Sequence, residues 1–147
     1  MKGLAIGYEK TEPEEKLRKL HALLPALSSW DQTDTIVTAF KPKGREKEQF
    51  YSFFLSLLES KEVYPKRLGV VWMMSNRKSY DREEVLEAIV EADNPNEYYI
   101  SMAVAWALAT FISDDRTFLP YLDKVSSKTK KRAEQKLRDS YVFNPRP

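Results

Sequence analysis

Cysteine is absent from the sequence and histidine occurs once, at His21. Without thiols there is no disulfide, no cysteine nucleophile and no zinc site built on thiolates, and one imidazole cannot form a histidine-pair metal site. A Ser-His-Asp triad would need His21. That residue sits in a Leu-rich amphipathic stretch and reads as a helix-surface or boundary residue. Chemistry therefore falls to carboxylates, aromatic rings, Arg, Lys or water, and neither a metal nor a cofactor is expected. Glycine is scarce as well, with four in 147 residues, and hairpin-turn signals are few, which argues for helices. No apolar run approaches the roughly 20 residues of a membrane span, so no membrane partner is expected. The N-terminal MKGLAIGYEK lacks the apolar core and cleavage pattern of a signal peptide, so a cytoplasmic location is the expectation.

What is present is a globular balance of 42% apolar and 31% charged residues. The net charge is only +2, with a pI near 8.7, and does not by itself call for a nucleic acid. Its distribution is less even. Residues 9–16 (EKTEPEEK) lean acidic, whereas residues 124–138 (KVSSKTKKRAEQKLR) hold seven Lys or Arg and one Glu. That cluster suits phosphate contacts or, more simply, a solvated helix face.

Apolar periodicity and capping signals predict eight helices. Thr11 and Glu14 form a capping-box pattern before a first helix with Leu17, Leu20, Leu24 and Leu27 on one side, interrupted at Pro25. Ser29 and Gln32 repeat the pattern for a second helix carrying Ile36, Val37 and Phe40. Further helices are predicted over about 46–59, 65–75, 82–92 and 97–112, with Asp81 and Glu84 as the box of the fifth. The sixth is apolar nearly all round and should be central. A short seventh covers 116–122, and an eighth runs from a Ser127 cap to about Tyr141. The expected organisation is a tail at 1–10, a single helical domain at 11–143 and a tail at 144–147.

The first helices of successive pairs start near residues 12, 46, 82 and 116, a period of 34–36 that fits helical hairpins stacked into a solenoid. A globular helical bundle is the alternative. In a solenoid the second helix of each pair lines one groove. Chemistry-bearing residues fall on those helices: Trp30 and Asp34, then Lys66 and Arg67, then Trp106, then Lys128, Lys130, Lys131 and Arg132. Trp30 and Asp34, four apart, share one face.

SSWDQTD (28–34), YPKRLGVVW (64–72), YYISMAVAWALATF (98–111) and FLPYLDKVSSKTKKRAEQKLRDSYVF (118–143) resemble, in order and spacing, segments of the DNA alkylation repair family of AlkD-like DNA glycosylases. The resemblance implies an all-α fold, a right-handed α-solenoid of about four HEAT-like hairpins. It also implies excision of cationic alkylpurines, modified at N3 or N7, from duplex DNA. It places Asp34 as the catalytic carboxylate, Trp30 and Trp106 as tryptophans of the sugar cleft and Arg67 as a DNA-backbone contact. Duplex DNA is the implied partner, and a protein partner in the groove is the alternative, as for a non-catalytic HEAT-like module. The chain departs from the family pattern in lacking the additional N-terminal repeats and in having Ser29 where a tandem tryptophan begins.

Each residue also has a plainer reading. Trp30 and Trp106 could pack between helices, and Asp34 could serve the helix dipole, as Asp31 is expected to do. Trp72 reads as core, and Tyr98 and Tyr99 as packing. Arg67 near a helix start is poorly matched to the dipole, which favours an external anion.

Overall fold

The computed structural model describes residues 2–8 and 11–140, with side chains from Ala5 onward. Every regular element among them is helical: α1 Lys2–Gly7, α2 Pro13–Leu23, α3 Trp30–Ala39, α4 Glu46–Leu57, α5 Val63–Ser75, α6 Arg82–Glu91, α7 Tyr98–Asp114 and α8 Ser127–Asp139. Three 3-10 segments join them, at Leu24–Ala26, Arg77–Ser79 and Arg116–Lys124. The expectations for Tyr141 and for the tail at 144–147 lie outside the described residues.

Most expected helices are found, and the departures have local causes. The stretch read as an N-terminal tail contains α1, which packs on α2 and α3. Gly7 allows that approach, because a Cβ there would lie 2.5 Å from the Ala39 side chain. Pro25 ends α2 as predicted, in a 3-10 turn. The seventh helix is 3-10 rather than α: Pro120 sits inside it and cannot donate to an α ladder.

The capping boxes change partners. Pro13 occupies the first turn of α2, making Glu12 rather than Thr11 the N-cap, and Glu14 accepts instead from Gln49 Nε2 at 2.5 Å. Gln32 Oε1 accepts from the Ser28 N–H at 2.8 Å, leaving Ser29 without a side-chain cap. Asp81 does cap α6, accepting from the Glu84 N–H at 3.1 Å, but the Glu84 carboxylate takes the Tyr51 hydroxyl at 2.6 Å. At α8 the cap is Ser126, one residue before the predicted Ser127.

α1, α3, α5, α7 and α8 pack consecutively, each on the next. α2 packs on α4, and α6 lies against α5 and α7. The core runs along this row. Trp72 is fully buried, stacked 4.4 Å from Phe54, and donates its indole N–H to the Phe40 carbonyl at 2.8 Å. Gly69 lets α5 approach α4, since a Cβ would meet the Phe54 carbonyl at 2.8 Å. The central position predicted for α7 is borne out: ten of its residues, from Ile100 to Ile112, are buried.

Hydrogen bonds join neighbouring helices and loops at nearly one spacing. Arg67 reaches Asp34 across 33 residues, Trp72 reaches Phe40 across 32, Tyr51 reaches Glu84 across 33 and Ser126 reaches Asp93 across 33. The sequence period is thus written into the tertiary contacts.

Candidate functional site

Trp30 is the first residue of α3 and Asp34 lies one turn later. Trp30 is 49% exposed, unusual for so large an apolar ring. Thr33, fully buried, shares its one hydroxyl proton between the Trp30 carbonyl at 2.7 Å and Asp34 Oδ1 at 3.1 Å, the shorter contact going to the carbonyl, and so steadies the carboxylate from its own helix.

From α5, Arg67 meets Asp34 in a two-pronged pair, Nε to Oδ1 at 3.3 Å and Nη2 to Oδ2 at 3.1 Å. Its Nη1 donates to the Tyr99 carbonyl in the first turn of α7 at 3.0 Å. One guanidinium therefore ties three consecutive helices through the planar geometry that suits it. This resolves the apparent mismatch with the dipole: the negative partners are Asp34 and a carbonyl, both internal. Arg67 is only 7% exposed, so little of it is offered to an external anion.

Trp106 is 38% exposed rather than core. It lines a recess of about 460 Å³ with Thr110, Ser113, Asp114, Lys136 and Asp139. None of Trp30, Asp34 or Arg67 lines that recess. Asp114 is itself held by Arg77, at 2.5 and 3.2 Å, and this hydrogen bonding keeps its carboxyl below the usual carboxylate range. Sequence and structure thus agree on Asp34, Arg67 and Trp30 as neighbours, while Trp106 stands further along α7, two turns from Tyr99. His21 is exposed and borders a separate, largely apolar recess with Leu24, Leu57 and Tyr64.

The basic residues divide by engagement. Lys66 is half-buried beside Arg67, and Lys128 and Lys131 are exposed. Lys130 pairs with Asp123 at 2.6 Å. Arg132 donates to the Ser101 hydroxyl at 2.7 Å and lies 5.1 Å above the Tyr98 ring. Three features escaped the sequence reading: the Tyr99 carbonyl as a partner of Arg67, the Arg77–Asp114 pair, and Tyr98 as an exposed ring. The 33-residue step from Asp34 to Arg67, continued for 32 more, lands on Tyr99 and was the available signal.

Among the described residues no cluster of His, Asp and Glu could hold a metal ion, and no helix is long and apolar enough to cross a membrane. No curated protein and no solved structure matches the chain. A sequence profile of the family described as DNA alkylation repair enzyme matches residues 3–140. An arginine-held carboxylate beside an exposed tryptophan, found within a match spanning nearly the whole sequence, leads to one conclusion: the chain belongs to the DNA alkylation repair enzyme family.

Proposed function

We propose that the protein is a DNA glycosylase that hydrolyses the N-glycosidic bond of purines carrying a positive charge from alkylation at N3 or N7. The observation that carries this reading is the half-buried Asp34 carboxylate, fixed by Arg67 and Thr33 one turn from the exposed Trp30. Loss of a cationic base builds oxocarbenium character on the sugar. A fixed carboxylate stabilises that charge and orients the attacking water, and an indole face adds cation–π stabilisation. Trp106, which the family resemblance assigns to the same cleft, lines a different recess and has no part in the sugar site in this reading. Arg67 acts as a positioning residue for Asp34, and Lys66, Lys128 and Lys131 carry the phosphate contacts, while Lys130 and Arg132 are engaged by Asp123 and Ser101. The consecutive packing of α1, α3, α5, α7 and α8 supports a right-handed solenoid of HEAT-like hairpins as the scaffold, with α1 joined to the domain expected at 11–143, and the family match supports duplex DNA as the partner.

A second reading, a non-catalytic module binding DNA or a protein, draws on the same pair. Both carboxylate oxygens of Asp34 already accept from Arg67, as in a purely structural ion pair. Release of 7-methylguanine or 3-methyladenine from methylated duplex DNA separates the two. The glycosylase reading expects release by the wild type and a loss of at least about a hundredfold in Asp34→Asn. Release at the spontaneous rate from both proteins supports the binding module instead.

A further inference from the structure

We propose that Tyr98, backed by the guanidinium of Arg132, is a stacking platform for an unpaired nucleobase, so that the protein engages single-stranded or locally opened DNA. The proposal rests on the reading of this face as a nucleic-acid surface and deepens it. Trp30, Tyr64 and Tyr98 stand 34 residues apart, each in the first turn of α3, α5 and α7. Two of these rings are linked through Tyr99: Tyr64 lies 6.0 Å from it, and it meets Tyr98 edge-on at 5.5 Å. Arg132 from α8 completes the row, its guanidinium carbon 5.1 Å from the Tyr98 centroid.

Tyr98 is 55% exposed, a large area of hydrocarbon to leave in water. Its backing is nonetheless rigid. Arg132 is anchored to Ser101, whose buried hydroxyl bonds Thr129 at 2.7 Å, and Thr129 in turn bonds Asp93 at 2.6 Å. A ring held in place this way loses little freedom on binding. The adjacent cations suit a phosphate backbone: Lys131 precedes Arg132, Lys128 lies one turn before it on the same face, and both are exposed. Glu62 and Glu97, at the starts of α5 and α7, dilute the positive field, so recognition depends on stacking as well as charge. A paired duplex presents edges and phosphates but no free base face, so a face-stacking ring favours an unpaired base.

Fluorescence anisotropy with a labelled 12-nucleotide single strand and the matching duplex tests this. Tyr98→Ala should weaken single-strand binding at least about fivefold, Tyr98→Phe should restore it, and duplex affinity should change less than twofold. In parallel, 2-aminopurine placed in the single strand should be quenched by the wild-type protein, a readout independent of whether Tyr98→Ala folds. Equal single-strand affinity of wild type and Tyr98→Ala, equal losses on both DNAs, or absence of quenching would each overturn the platform. Failure of the glycosylase reading, seen as base release by the wild type at only the spontaneous rate, remains distinct, because it leaves single-strand binding and its loss in Tyr98→Ala as they are.

Discussion

A carboxylate in the proposed role of stabilising a short-lived cation must stay still, and Asp34 is held in place by its neighbours. Thr33 and Arg67 occupy its oxygens from two helices, so its rotamer is set before any substrate arrives. Removing the arginine leaves a half-buried charge without its partner. Arg67→Ala should therefore destabilise the fold by about 3 kcal/mol, as expected for breaking a buried pair. Asp34→Asn leaves the more deeply buried Arg67 guanidinium without a counter-charge and should cost a similar amount, about 3 kcal/mol. Urea unfolding followed by circular dichroism checks both values, and a loss below about 1 kcal/mol for either variant would refute the buried pair. Asp34 and Trp72 were legible in the sequence through residue type and helical spacing, whereas dipole logic pointed Arg67 to an external anion and its partners proved to be Asp34 and the Tyr99 carbonyl. Tyr99 was not, because its contribution is a main-chain carbonyl that no residue type announces.

At the scale of elements, helix starts divide into those held by a side chain and those held by packing. Asp81 caps α6 directly, whereas Ser29 at α3 makes no side-chain cap. Asp81→Ala should lower stability by about 1 kcal/mol, while Ser29→Ala should change it by less than about 0.5 kcal/mol. Thermal melts of the two variants read the difference directly. The sequence showed the elements well, since leucine and phenylalanine stripes and the prolines at 13 and 25 mark helices regardless of context. It showed caps less well. In Glu14, Gln32 and Glu84 the same polar group had a local and a distant partner available. Gln32 stayed local but moved one residue, while Glu14 and Glu84 went to Gln49 and Tyr51 on α4. Pro120 was visible as well, and its missing N–H is the local reason that the segment read as a short helix is a 3-10 run.

For the whole molecule, low net charge and local basic clustering together set how DNA affinity should respond to salt. Lys130 and Arg132 already have internal partners, which leaves Lys66, Lys128 and Lys131 for phosphates. The slope of log affinity against log salt for a duplex should then be about −2 to −3, shrinking by about one unit in Lys131→Ala. A slope near zero, measured by anisotropy between low and moderate salt, would contradict a phosphate-reading face. The period of 34–36 was the most informative whole-molecule feature of the sequence, because the ties between helices follow it. The relation of Trp106 to Asp34 was beyond it: a repeat register known to a few residues cannot place two rings on α3 and α7 in the same recess.

That regular step also has a consequence in time. Side-chain hydrogen bonds between successive hairpins reach across 28 to 37 residues, from Ser101–Thr129 to Arg77–Asp114. Each such contact closes a loop of nearly the same modest length, so none carries the extra entropy of joining distant ends of the chain. In the proposed solenoid, order can begin at any neighbouring pair of helices and spread outward in either direction. Contacts of such short range belong with rapid folding, and its slowest steps should be local ones.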